Sequence, residues 1–414
     1  MAGPIYGLIG ETLKHSWSVP IHHHLGCTDY RLYELKPEML PDFLRNNEIG
    51  GLNVTIPYKK AVIPFCSSLD PYAEAIGSVN TLVPDGNGGL CGYNTDASGL
   101  SYIAKRTGIC FRNSKVVILG SGGTSLTAQA VAKSEGAAEV TVISRSGADN
   151  YENISRHYDA DVLINTTPVG MYPHNGNCLV DLNRFSGLRG VLDVIYNPLR
   201  TALLMQAESL GIPCSCGLPM LVAQAVRAEE KFFGKPIADS RIEEITSGLK
   251  REMTNIVLIG MPGSGKSTVG KILAAMSGRD LIDTDAEIVR SAGCPIPEIF
   301  RTQGEAAFRT IESEQVRRAG MESGKIIITG GGAVTREENY APLHQNGRIY
   351  ELDRALDQLP IEGRPISQRT SAEELYRQRA PLYQAFRDVR IVNDGSPEDA
   401  AEKIWRDHCE NSGN

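Results

Sequence analysis

The segment Gly260-Met-Pro-Gly-Ser264-Gly265-Lys266-Ser267-Thr268 constrains this chain more than any other. It is a complete G-x-x-x-x-G-K-S, with the apolar run Ile256-Val-Leu-Ile259 before it and the helix-compatible Val269-Gly-Lys-Ile-Leu-Ala-Ala275 after it. A strand that enters such a loop and leaves as a helix points its backbone N–H groups at phosphates. The loop residues Gly263, Ser264 and Gly265 would surround a β-phosphate, Lys266 would contact β- and γ-phosphates, and Ser267, with Thr268 behind it, would offer a hydroxyl to Mg²⁺. This dictates a P-loop layer with a parallel sheet. The motif alone fits a kinase, an ATPase and a GTPase equally.

The same grammar occurs once more, at Val116-Val-Ile-Leu119 followed by Gly120-Ser121-Gly122-Gly123-Thr124-Ser125. The surroundings differ too much for an internal repeat, and 414 residues exceed what one core organises, so two unrelated α/β domains are expected. A net charge of −7 gives no general attraction for nucleic acid or an anionic membrane. The nine cysteines are scattered with no Cys-x-x-Cys, which fits a reducing compartment. Met1 runs into the strand-like Ile5–Ile9 with neither a basic leader nor a long apolar core. The expectation is a cytoplasmic protein without nucleic-acid or membrane partners. Oligomeric state is not legible.

The polar stretch 234–254, amphipathic around Ile242, Ile245 and Leu249, reads as the last helix of the first domain, with the joint near Lys250 to Met253. The domains are then 1–250 and 254–414. Within the first, strands at Gly51–Ile56 and Ser78–Val83 suggest a substrate lobe of about 1–100 and 218–250, separate from a dinucleotide lobe of about 101–217. The glycine turn at 120 departs from G-x-G-x-x-G in having Ser125 at the third position, and by itself also fits an ordinary tight turn. The next strand, Val140–Ile143, ends in Ser144-Arg145-Ser146 where an NAD-specific fold places an acidic residue. Arginine suits a 2′-phosphate; an exposed strand-end arginine is the other reading. His22-His-His24 cannot converge on one ion from a helix, so these are expected to be helix-surface histidines.

Several motifs in order, His15-Ser16-Trp-Ser18, Asn53-Val-Thr55-Ile-Pro-Tyr-Lys59, Val79-Asn80-Thr-Leu82, Asn94-Thr-Asp96, Asn165–Gly170, Asp193-Val-Ile-Tyr196-Asn-Pro198 and Gly217–Gln224, resemble the shikimate dehydrogenase family across residues 1–250. The resemblance implies a two-lobe fold in which Ser16 and Ser18 hold the substrate carboxylate and Thr55, Asn80, Tyr196 and Gln224 line the hydroxyl-bearing ring. It makes Lys59 and Asp96 the catalytic pair, and without it Lys59 beside Lys60 reads as a solvated surface charge. It assigns NADP(H) to Gly120, Ser121, Gly122, Gly123, Thr124, Ser144, Arg145, Ser146 and Gly217. The family commonly carries a second arginine after Arg145, and here Asp149 follows Ser146-Gly-Ala instead. Serine at both 16 and 18 matches the shikimate-specific branch rather than quinate-accepting relatives.

Downstream, Leu281-Ile-Asp283-Thr-Asp285, Phe308-Arg309-x-x-Glu312, Thr329-Gly-Gly331-Gly332-Ala333, Gly363-Arg364-Pro365 and Arg379-Ala-Pro-Leu-Tyr383 resemble shikimate kinase from 254 to about 410. By that resemblance Asp283 joins Ser267 in the Mg²⁺ shell, Asp285 meets the shikimate hydroxyls and can take a proton, and Arg309 and Arg379 grip the carboxylate. Gly331 and Gly332 let backbone approach the ring, and Arg364 is the lid arginine facing ATP.

The implied whole is an enzyme that reduces 3-dehydroshikimate with NADPH and phosphorylates shikimate with ATP and Mg²⁺, the two small molecules being its partners. Alternatives are a quinate/shikimate dehydrogenase joined to another small-hydroxyl kinase, or a non-catalytic metabolite sensor on the same folds.

Overall fold

The structure is a computed structural model and describes residues 3–13, 16–356 and 372–413. Two compact units divide the chain: Met1–Met171, Asn177–Tyr196 and Leu203–Thr246 form the first, and Tyr172–Gly176, Asn197–Ala202 and Ser247–Asn414 the second.

The strands of the first unit are β1 (Ile5–Gly10), β2 (Arg31–Glu34), β3 (Ile49–Val54), β4 (Cys66–Leu69), β5 (Thr81–Pro84), β6 (Leu90–Tyr93), β7 (Lys115–Leu119), β8 (Glu139–Ile143), β9 (Val162–Asn165), β10 (Gly190–Asp193) and β11 (Cys214–Ser215). Its helices are α1 (Ser18–Leu25), α2 (Leu40–Asn46), α3 (Pro71–Ile76), α4 (Thr95–Arg106), α5 (Gly123–Ser134), α6 (Ala202–Ser209) and α7 (Leu218–Phe233). One sheet, ordered β2-β1-β3-β5-β6-β4, is mixed, because β5 runs antiparallel to both β3 and β6. The other, β11-β10-β9-β7-β8, is parallel throughout. Val116 to Leu119 of β7 are all buried, as a strand covered on both faces must be. The order of this sheet reverses beside β7, and the crevice at the carboxyl ends of the strands there is where such sheets take ligands.

Two strands are displaced from their expected places. β3 ends at Val54 rather than Ile56, just ahead of Pro57, which has no N–H for a ladder. β5 starts at Thr81 because Val79 and Asn80 donate instead to the carbonyls of Lys59 and Tyr93, at 2.8 and 3.0 Å. Asn80 still bridges the ends of β3 and β6, its carbonyl accepting from Val54 N at 2.8 Å.

Helix α8 (Asp239–Met253) buries Ile242, Ile245, Leu249 and Met253, and only Thr254 separates it from the next strand. The second unit follows with β12 (Asn255–Ile259), α9 (Lys266–Ser277), β13 (Leu281–Asp283), α10 (Thr284–Ala292), α11 (Ile296–Gly320), β14 (Ile326–Ile328), α12 (Tyr340–Gln345), β15 (Gly347–Asp353), α13 (Ala372–Phe386), β16 (Val389–Val392) and α14 (Pro397–Asn411). Its sheet is parallel in the order β13-β14-β12-β15-β16, with Ile256 to Ile259 fully buried at its centre. Within this unit Leu199 N donates to Asn346 Oδ1 at 2.8 Å, and Arg200 Nη1 to the His344 carbonyl at 3.2 Å. The unit is therefore assembled from three separate stretches of chain.

The histidine triplet corrects a sequence expectation. On α1, His23 and His24 are exposed, but His22 is buried. A helix that lies against α7 must turn one residue of any consecutive triplet inward.

Among the described residues, no helix is long and apolar enough to cross a membrane.

Candidate active sites

In the first unit a cavity of about 510 Å³ collects Ser16, Ser18, Thr55, Lys59, Asn80, Asp96, Tyr196 and Gln224. Helix packing explains much of the convergence. A Cβ on Gly99 would lie 2.7 Å from the Met220 carbonyl, so α4 and α7 can approach closely enough to bring Asp96 and Gln224 to one cleft only with glycine there. Asp96 sits in the first turn of α4, where the N-terminal dipole favours a carboxylate, and Asn94 caps that helix through Ala97 N. The Lys59 Nζ lies 2.5 Å from Asp96 Oδ2, with side-chain exposures of 28% and 13%. The pair is shielded but reachable from solvent.

The other polar groups are held in place by the backbone and each other. Asn80 Oδ1 accepts from Thr95 N at 2.7 Å, and its amide donates to Gln224 Oε1 at 3.1 Å. Ser18 N donates to Ser16 Oγ at 3.2 Å. Burial pushes the Tyr196 phenol above its usual value, so it stays a hydrogen-bond donor. His15, the first residue of its motif, lies outside the described residues.

The glycine turn joins β7 to α5. Gly120 has φ 103°, and a Cβ there would meet Thr167 Cγ2 at 2.8 Å. Around Gly122 and Gly123 the space is open, leaving the helix N-terminus accessible along with Ser121 and Thr124. Ser125 is buried, its N–H bonded to the Gly122 carbonyl and its Oγ accepting from Gln129 at 3.4 Å, so a small polar residue fits where a third glycine was expected. Ser144, Arg145 and Ser146 follow β8, with Arg145 and Ser146 exposed. Gly217, at the N-cap of α7, is pressed against the Val194 carbonyl, where a Cβ would stand 2.0 Å away.

In the second unit a cavity of about 730 Å³ is lined by Gly263, Gly265, Lys266, Ser267, Thr268, Asp283, Asp285, Arg309, Gly330, Gly331, Gly332 and Arg379. Ser264 lies behind the loop, fully buried, its Oγ without a hydrogen-bond partner. Lys266 Nζ donates to the carbonyls of Gly260 and Met261 at 2.8 and 3.0 Å. Asp283 ends β13 and caps α10 through Asp285 N at 3.0 Å. Asp285 is thereby set at the mouth of the same cavity.

The triple glycine is a requirement of close approach. A Cβ on Gly330 would stand 2.8 Å from both Asp285 Oδ1 and Glu312 Oε1, on Gly331 2.7 Å from Pro262, and on Gly332 2.3 Å from Arg309 Nη1. Arg309 is buried and paired with Glu312 at 2.7 Å, while Arg379 Nη1 and Tyr383 OH donate to the Gly331 carbonyl at 3.0 and 2.5 Å. Burial pushes the Glu312 carboxyl up, and Arg309 opposes that shift. Arg364 lies outside the described residues.

The structure adds three residues that sequence reasoning gave no role. Arg354 lines the second cavity just after β15, a placement that only the β12–β15 pairing reveals. Glu312, visible in its motif, turns out to be the buried anchor of Arg309. His22 lines the first cavity. Among the described residues, no group of three or more His, Cys, Asp or Glu could hold a metal. The donors beside Lys266, one Ser267 hydroxyl and the Asp283 carboxylate, are hard oxygens, and that set suits Mg²⁺, which is bound through one or two carboxylates plus substrate phosphates.

Comparison with known proteins agrees with this division. Residues 8–82 match the family model for the shikimate dehydrogenase substrate binding domain, and residues 262–408 that for shikimate kinase. A shikimate dehydrogenase (NADP(+)) of Clostridium beijerinckii is 35% identical over 54% of this chain and 90% of its own length. Among solved structures, a chorismate mutase/shikimate 5-dehydrogenase fusion protein from Clostridium acetobutylicum is similar with a TM-score of 0.57 and 34% identity, covering 60% of this chain and 98% of that one. The Thermus thermophilus shikimate 5-dehydrogenase in complex with NADP(H) and shikimate is similar with a TM-score of 0.53 and 28% identity, covering 58% and 98%.

Proposed function

From a chain that belongs to the shikimate dehydrogenase family and carries a shikimate kinase domain in its second half, we propose two consecutive reactions: NADPH-dependent reduction of 3-dehydroshikimate to shikimate, and ATP-dependent phosphorylation of shikimate to shikimate 3-phosphate. The observation that supports this reading is that one cavity gathers Ser16, Ser18, Lys59 and Asp96 and the other Lys266, Asp285, Arg309 and Arg379, each from one half of the sequence.

In the first cleft, Ser16 and Ser18 bind the carboxylate while Thr55, Asn80, Tyr196 and Gln224 orient the ring. The hydride comes from NADPH when it is bound at the β7–α5 turn. Negative charge then grows on the ketone oxygen, and the Lys59 ammonium is placed to give that oxygen a proton. Asp96 holds Lys59 in position.

In the second, Arg309 and Arg379 hold the shikimate carboxylate, with forked guanidinium groups matched to a planar anion. The backbone of Gly331 and Gly332 lies against the ring. Lys266 exchanges the Gly260 and Met261 carbonyls for phosphate oxygens, and Arg364 adds positive charge at the nucleotide. Ser267 and Asp283 would hold Mg²⁺ together with the nucleotide, and the ion would supply charge neutralisation there. Asp285 accepts the hydroxyl proton as the oxygen attacks in line.

A coupled assay tests the whole: 3-dehydroshikimate, NADPH and MgATP should give NADPH loss followed by ADP, and omitting NADPH should abolish ADP formation unless shikimate is added. ADP formation from another small hydroxy compound in preference to shikimate would refute the kinase assignment.

Arg145, exposed beyond β8, is the group we assign to the 2′-phosphate of the cofactor. Arg145→Ala should raise KM for NADPH, and not for NADH, by roughly tenfold to a hundredfold, the loss of one charge-assisted hydrogen bond. Equal changes for the two cofactors would remove that assignment.

A further inference from the structure

His22 is 1% exposed and lines the cleft that holds Ser16, Ser18 and Gln224. Its Nδ1 lies 3.0 Å from Oε1 of Glu229, on α7, which is itself 2% exposed. The second oxygen of that carboxylate, Oε2, is buried with no hydrogen-bond partner among the described residues. At Tyr6, Cys27 and Tyr30 the charge of Glu229 adds to burial in holding the proton on, so none of the three offsets a negative charge. Among the described residues, the basic side chain paired with it is His22.

A buried carboxylate with one oxygen unpaired costs stability, and apolar residues of similar volume would fill the same space at no loss. Packing therefore gives no reason for Glu229. The imidazole it holds does. His22 stacks on Tyr30, ring centroids 3.8 Å apart and planes 7° from parallel. The Tyr30 hydroxyl donates to Asn53 Oδ1 at 2.7 Å, and Asn53 lines the same cleft as His22. Asn53 in turn donates to Thr81 Oγ1 at 3.2 Å, next to Asn80. Ser18 opens α1, the helix that carries His22.

We infer that Glu229 is a positioning residue of the dehydrogenase cleft: it fixes the His22 ring on the cleft wall, and His22 fixes the plane of Tyr30, whose hydroxyl holds the Asn53 amide that lines the same cleft. The inference rests on the reading of this cleft as the substrate site. A fixed amide has less freedom to lose when the substrate arrives, so the effect falls on substrate binding and not on hydride or proton transfer.

The test is steady-state kinetics on the full-length chain with Glu229→Leu, Glu229→Gln and Tyr30→Phe. Glu229→Leu and Tyr30→Phe should each raise KM for 3-dehydroshikimate about tenfold, the size of one lost hydrogen bond, with kcat and KM for NADPH nearly unchanged. Glu229→Gln should recover most of the loss, since its amide oxygen still accepts from Nδ1–H. Phosphorylation of added shikimate should be unaffected in all three. Tyr30→Phe keeps the stacked ring, so its result does not depend on whether removing the carboxylate disturbs folding. An unchanged KM in Glu229→Leu and Tyr30→Phe, even with a lowered melting temperature, would reduce the pair to packing and overturn the inference. So would equal increases in KM for substrate and cofactor. Wild-type turnover of 3-dehydroshikimate tests the parent reading separately; should the wild type prefer another oxo-acid, the same variant-to-wild-type ratio is measured on that acid.

Discussion

Lys59→Ala should lower kcat for NADPH oxidation by roughly 10²–10⁴, the usual worth of a positioned proton donor, while leaving phosphorylation of added shikimate at its wild-type rate. Lys266→Ala should do the converse, costing phosphorylation on the order of 10²–10³ through loss of a preorganised cation at the transferring phosphoryl group. The asymmetry follows from placement: Lys59 pairs with Asp96 inside the first unit, and Lys266 sits on the P-loop carbonyls inside the second. Full-length variants are the right reagents, because the second unit includes 172–176 and 197–202 and a cut near Met253 would remove those stretches from it. If either substitution in a well-folded protein abolished both activities, the assignment of one reaction to each unit would fail.

The two nucleotide-facing turns were legible because their requirements are local. A buried apolar strand, glycines at left-handed or crowded positions and a helix start follow each other within a dozen or so residues, and β7–α5 and β12–α9 keep that order in the structure. The strand ends at 54 and 81 were not, since Val79 and Asn80 find their partners at Lys59 and Tyr93, which no local pattern announces. The histidine triplet failed for the same reason. Helical geometry argues against a shared metal, but which of the three faces inward is decided by α7, some two hundred residues on. Nor could spacing alone reveal that Gly99 permits the approach of α4 to α7, or that Arg354 reaches the second cavity from the end of β15. Contacts of long sequence separation set all of these. Residue types in motifs signal what chemistry is possible; the packing of distant helices decides which side chains face it.

Asp285→Asn should separate proton transfer from substrate grip in the kinase cleft. Asparagine keeps the size of the side chain and can still bond a substrate hydroxyl, yet it cannot take the proton that the attacking oxygen must shed. The backbone is expected to hold, because Asp285 N–H donates to Asp283 Oδ1 and that cap involves no atom of the substituted side chain. Gly330 leaves room for the new amide, as it does for the carboxylate that its missing Cβ would otherwise crowd at 2.8 Å. Glu312 lies on the other side of the same gap and is held by Arg309 at 2.7 Å through Oε2. The expected result is a fall in kcat for phosphorylation of roughly 10²–10⁴ with a much smaller rise in KM for shikimate, and no change in NADPH oxidation. The measurement is ADP release at saturating ATP across a range of shikimate concentrations. A variant that kept kcat and lost only affinity would assign Asp285 to holding the hydroxyls, and the proton would then have to leave through another group.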